Sequence, residues 1–158
     1  MRSRGFTLIE LMIVLVVVGI LVAVGVPSWR GFARSLAQNQ ARSQVLEAIR
    51  MARQTAVTTH RPVYIQFGSP PSTTDITTFK VHNDSNSDGV VSSGERNKTF
   101  TLPKNTRLSL VALTPLDTIP FIASGGLRTS STGGSLIVTN GRKSDTLMVS
   151  SIGMVFRP

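Results

Sequence analysis

The stretch RGFTLIELMIVLVVVGILVAVGVP, residues 4–27, decides how the chain is read. Residues 6–26 supply 21 positions with a single charge among them, about 31 Å as an α-helix and enough to cross the hydrocarbon core of a bilayer. The short basic segment MRSRG precedes it, and Arg30 and Arg34 follow it, so positive charge flanks both ends and sets orientation only weakly. An ordinary cleaved signal peptide shares this outline, with a small-residue cleavage site near AVG at 23–25. One residue sits badly with that outline. Glu10 puts a carboxylate inside the apolar run, where it costs about 2.5–3.5 kcal/mol in lipid even on insertion scales. Such a residue needs a partner.

The same residues resemble the class III leader and N-terminal helix of type IV pilins and type II secretion pseudopilins. The resemblance rests on a basic leader ending in Gly5, on Phe6 behind it, on Glu10 four residues further along, and on Pro27 at the family's mid-helix proline. It implies that a prepilin peptidase cleaves between Gly5 and Phe6 and that Phe6 becomes N-methylphenylalanine. It also implies an assembly role for Glu10, pairing with the terminal amine of a neighbouring subunit. The physics agrees, because a charge pair buried among apolar helices specifies register: every other register leaves a charge unpaired. The implied partners are other pilins or pseudopilins, the prepilin peptidase and an inner-membrane assembly platform. The implied location is the bacterial inner membrane, single-pass with a periplasmic head, and then the filament.

Beyond Pro27, helical spacing continues. Phe32, Leu36, Val45, Ile49, Ala52 and Ala56 form an apolar stripe that Ala33, Ala37, Ala41 and Ala48 fill in. Pro27 is expected to kink or interrupt the helix, and Arg61-Pro62 to end it. The segment MARQTAVTTHRPVYIQF, residues 51–67, resembles the helix end and first strand of minor pseudopilins and pilins of the GspH/FimT/FimU type, although Thr55 stands near the position of the family's usual acid. From residue 62 on, short strand-like runs dominate: 63–67, 77–82, 98–102, 107–113, 119–123, 134–139, 145–151 and 154–157, separated by turn-rich stretches. The expected fold is α+β, a long N-terminal helix with a transmembrane half and an amphipathic half, packed on an antiparallel β-sheet head. The expected organisation is a leader at 1–5, an assembly helix at 6–27, its amphipathic continuation at 28–61 and the head at 62–158.

DSNSDGVVSSGE, residues 84–95, fits the twelve-residue calcium-loop pattern D-x-N-x-D-G-x5-E. In that reading Asp84, Asn86 and Asp88 supply side-chain oxygens, Gly89 the sharp turn, Val90 a carbonyl and Glu95 a bidentate carboxylate. Three of the chain's eight acidic residues sit there. The flanks are strand-like, so the ion would be structural, and a polar hairpin that needs no ion is the alternative. No cofactor is otherwise required.

With Arg2 and Arg4 removed, 15 basic residues stand against 8 acidic ones, a surplus of seven that points to anionic partners or to a solvated basic surface. Without cysteine there are no disulfides and no thiolate chemistry. No nucleophile elbow, zinc-protease motif or phosphate-binding loop is present, and His60 and His82 read as isolated surface or boundary residues. The chain reads as a non-enzyme. FimT-type minor pilins carry a basic C-terminal G-R-x-R motif for DNA uptake, and here GMVFRP at 153–158 keeps Gly153 and Arg157 but has Met154 in place of the first arginine. Arg128, Arg142, Lys143 and Arg157 remain a candidate basic patch, whose phosphate contacts would be salt-dependent and indifferent to sequence. The primary expectation is a minor pilin or pseudopilin that initiates or caps a type IV pilus or a type II secretion pseudopilus. The alternative is a DNA-binding minor pilin.

Overall fold

The computed structural model describes residues 6–68, 74–86, 94–115 and 117–158, without the side chain of Pro27. One helix, α1, runs Leu8–Thr59 without a break. The interruption expected at Pro27 does not occur, because a proline withdraws only one backbone donor while the turns on either side keep theirs. The helix ends where the sequence placed its end, with His60 in the left-handed conformation at φ 53° just past Thr59.

The chain divides into two compact units, Met1–Leu36 and Ala37–Pro158. In the first, every described large apolar side chain, Trp29, Phe32 and Leu36 included, is exposed. The helix there is long and apolar enough to cross a membrane, and none of its apolar window is buried within the molecule.

The second unit has its own core. Ala41, Val45, Ala48, Ile49, Ala52 and Ala56 are buried along one helix face. The stripe expected from Phe32 therefore begins later, with Phe32, Ala33 and Leu36 left exposed. A polar residue joins it: Gln38 is buried and its Nε2 donates to the Val138 carbonyl at 2.7 Å.

Eight strands follow: β1 Val63–Phe67, β2 Thr78–Asn83, β3 Asn97–Thr101, β4 Arg107–Val111, β5 Thr118–Phe121, β6 Gly134–Thr139, β7 Ser144–Val149 and β8 Val155–Phe156. Each coincides with one of the expected runs, and the ends differ by a few residues. β4 stops at Val111 because Ala112 turns to φ 55°. The strands form two four-stranded antiparallel sheets, ordered β3-β2-β1-β5 and β4-β6-β7-β8.

Alternation places one face of each sheet in the core. Phe67, Phe79 and Phe100 lie in register across β1, β2 and β3 with ring centroids 5.7 and 5.2 Å apart. Leu110, Leu136 and Leu147 do the same across β4, β6 and β7. The start of β6 passes so close to its neighbours that a Cβ on Gly133 would sit 2.1 Å from the Val149 carbonyl oxygen. Only glycine fits there.

Candidate functional site

The helix start was read for its acid, and the structure shows what holds that acid. Gly5 lies outside the described residues, while Phe6 is exposed. Thr7 is the N-cap, and the backbone N–H and Oγ1 of Thr7 both donate to Glu10 Oε2 at 3.0 Å, while the Glu10 N–H donates to Thr7 Oγ1 at 3.3 Å. This is a capping box, in which Thr7 and Glu10 satisfy each other's exposed helix-end donors. Its signature, T-x-x-E at 7–10, was present in the sequence. All of the capping bonds fall on Oε2, so among the described residues Oε1 carries none and can accept from an incoming amine. One residue thus caps its own helix and leaves one carboxylate oxygen without a bond among the described residues.

At the 84–95 loop, Asp88, Gly89 and Val90 lie outside the described residues. Asn86 is exposed, and Asp84 and Glu95 are buried. Glu95 does not present two open oxygens. Its Oε2 lies 2.9 Å from His82 Nε2, and its Oε1 accepts the Ser85 N–H at 2.8 Å. His82 is therefore no surface residue. It is 1% exposed, its ring stacks on Tyr64 at 5.6 Å between centroids, and the Tyr64 hydroxyl accepts from Arg128 Nη2. A chain of contacts thus runs from the exposed Arg128 inward through Tyr64 and His82 to Glu95 and the loop backbone. No three of the described His, Asp and Glu side chains gather closely enough to hold a metal. The pattern 84–95 could not signal this, because the carboxylate's partner, His82, stands two residues before the motif begins.

The candidate basic patch divides. Arg142 and Lys143 are exposed on the β6–β7 turn, where both backbone N–H groups donate to Asn140 Oδ1 and Gly141 supplies a φ of 82°. Just beyond the turn, Asp145 Oδ1 lies 3.0 Å from Arg157 Nη2, and its Oδ2 lies 3.9 Å from Arg42 Nη1. Of the four expected residues Arg157 alone meets this carboxylate, beside Arg42, which sequence spacing did not reveal. Arg128 is elsewhere. Its loop abuts the far end of the helix, where a Cβ on Gly125 would lie 3.1 Å from Val57. Fifteen helical residues separate Arg42 from Val57, about 22 Å along the axis.

Comparison with known proteins accords with both halves of the chain. Residues 1–26 match the model of the prokaryotic N-terminal methylation motif, and residues 32–153 match that of the type II transport protein GspH. A fimbrial protein of Neisseria meningitidis is 44% identical over 72 residues, which cover 44% of this chain and 36% of that one. The type IV major pilin protein PilA of Myxococcus xanthus is 46% identical over 44 residues, 28% of this chain and 20% of PilA. The chain spans little more than a third of the length of the first of these relatives. The crystal structure of the Pseudomonas aeruginosa type IV minor pilin FimU superposes with a TM-score of 0.52 at 17% identity, covering 74% of this chain and 91% of FimU. That likeness speaks for the fold.

Proposed function

The chain belongs to the type II transport protein GspH family and opens on a prokaryotic N-terminal methylation motif, and we propose from this that it initiates or caps a type IV pilus or a type II secretion pseudopilus. In this reading a prepilin peptidase cuts between Gly5 and Phe6, and the new amine on Phe6 is methylated. The head stays periplasmic while the helix leaves the inner membrane for the filament. Family membership makes the chain a structural, pilin-like subunit that assembles with other pilins, and no enzymatic step is assigned to it.

The observation that carries the proposal is the first unit. Its apolar side chains are uncovered by the rest of the molecule, and the one carboxylate among them keeps an oxygen in reserve. Lipid covers such a helix before assembly, and neighbouring helices cover it afterwards. In either setting an unpaired carboxylate is costly, so the incoming Phe6 amine of a neighbour supplies a directional gain. Replacing Glu10 with Ala should leave membrane insertion and leader cleavage intact and reduce incorporation into filaments, measured by immunoblotting sheared filaments against membranes. Normal incorporation of Glu10→Ala would overturn the assembly role.

A second reading, capture of DNA, draws support from Arg42 and Arg157 at Asp145 and from the exposed Arg142 and Lys143 on the turn just before it. Its test is duplex binding by the full chain in detergent across a salt series. Loss of two phosphate contacts in Arg142→Ala/Lys143→Ala should reduce the log–log salt slope by about 2, and an unchanged slope would remove this reading.

A further inference from the structure

The second unit carries a groove of about 200 Å³ that assembly through the N-terminal helix does not use. Leu46, Ile49, Arg50 and Arg53 of α1 form one wall, and residues 153–155 form the other. Three features of this groove bear on what it can hold.

The first is the strand beside it. β8 has two residues and is the last strand of its sheet, so the sheet stops at the groove. Such an edge is a template for an added segment. The second is apolar surface. Met154 of the lining is half exposed, and beside the groove Ile152 and Phe156 are each at least half exposed, with Met148, in register with Phe156, more than a third exposed. Gly153 holds this wall in place: it sits at φ 74°, and a Cβ on it would press the Phe121 ring at 2.9 Å. The third is charge. Arg50 and Arg53 lie three residues apart on one helix side, both exposed, and no described acid pairs with either. Two other exposed head arginines are matched to acids, Arg107 to Asp75 and Arg157 to Asp145.

A nucleic acid would meet the two guanidinium groups but leave the apolar wall uncovered. A purely apolar segment would cover the wall and bury unpaired cations, which is unfavourable. An extended strand whose residues alternate apolar and acidic answers both, since successive side chains point to opposite faces and arginine binds carboxylates through paired, charge-assisted hydrogen bonds. We propose that the groove receives such a segment from the head of a neighbouring subunit, laid along the β8 edge with its carboxylates on Arg50 and Arg53. The identity of the donor as a filament subunit rests on the function proposed above. The chemistry of the groove does not.

The test uses the full chain in dodecyl maltoside micelles, with empty micelles as the blank. Fluorescence anisotropy follows a labelled eight-residue peptide alternating valine and glutamate, beside its valine–glutamine counterpart. The glutamate peptide should bind at least tenfold more tightly, and Arg50→Gln/Arg53→Gln should reduce it to the level of the glutamine peptide. Arg142→Gln/Lys143→Gln should change nothing. Equal binding of the two peptides, absence of binding, or sensitivity to Arg142 and Lys143 alone would overturn the proposal. Displacement of the peptide by an oligothymidylate of equal charge would replace it with a nucleic-acid site. Filament incorporation of Arg50→Gln/Arg53→Gln is scored separately. Peptide binding by a wild-type chain that never enters a filament would overturn the subunit reading and keep the groove. Normal incorporation of the variant without peptide binding by the wild type would do the reverse.

Discussion

Replacing Glu95 with Ala tests the reading of the 84–95 loop most directly. The side chains of His82 and Glu95 are 1% and 3% exposed, and their contact is 2.9 Å. Removal of the carboxylate leaves His82 Nε2 and the Ser85 N–H without an acceptor. His82 Nδ1 already has no hydrogen-bond partner in the fold, so the buried ring would then make no hydrogen bond at either nitrogen. Each stranded group costs about 1–3 kcal/mol, and breaking a buried pair from one side typically costs about 3–5 kcal/mol. We therefore expect a loss of about 3–5 kcal/mol, which for a domain of this size lowers Tm by about 10 °C or more. Thermal unfolding of the full chain in detergent, followed by near-ultraviolet circular dichroism, measures it. Combining Glu95→Ala with His82→Phe should recover much of the loss, because both halves of the pair are then gone. A loss below about 1 kcal/mol, or one that simply adds to that of His82→Phe, would refute the pairing. The same experiment addresses calcium. If Glu95 serves His82 and Ser85, calcium and chelator give the wild type the same Tm. A calcium-dependent rise that disappears in Asp84→Ala/Asp88→Ala would restore the twelve-residue loop as an ion site.

Two further outcomes follow from the fold. Gly133→Ala forces a methyl group against the Val149 carbonyl, so β6 and β7 must part locally; a loss of about 3 kcal/mol or more is expected, read by chemical denaturation, and a neutral effect would contradict the close approach. Thr7→Ala removes the cap and two of the bonds on Glu10, which should weaken the helix start by about 1 kcal/mol; faster amide hydrogen exchange at residues 8–10, with leader cleavage unchanged, is the expected signature.

Much of this was legible in the sequence because it is local. The motif at the amino terminus needs only adjacent residues, and the eight strands followed from alternation within four to seven positions. Pro27 was over-read: a helix-breaking preference is a local tendency, and one missing donor did not end an element of 52 residues. The stripe was over-read as well. Phe32 and Leu36 have the same spacing as Val45 and Ile49, and periodicity marks a face without saying whether anything covers it.

What the sequence determined by itself was the kind of chain this is: an apolar helix carrying one acid behind an N-terminal methylation motif, followed by a β-rich head. Those features are written in composition and near-neighbour spacing, and they survive whatever the head does. Tertiary structure alone decided which residues meet. It divided eight strands between two sheets, buried Gln38 against a strand carbonyl a hundred residues away, and brought Glu95 to His82. It gathered Arg42 and Arg157 around Asp145, while among the described residues no acid pairs with Arg50 or Arg53. The reason is physical: charges and hydrogen bonds act over a few ångströms in space, and only folding sets which distant parts of the chain come that close.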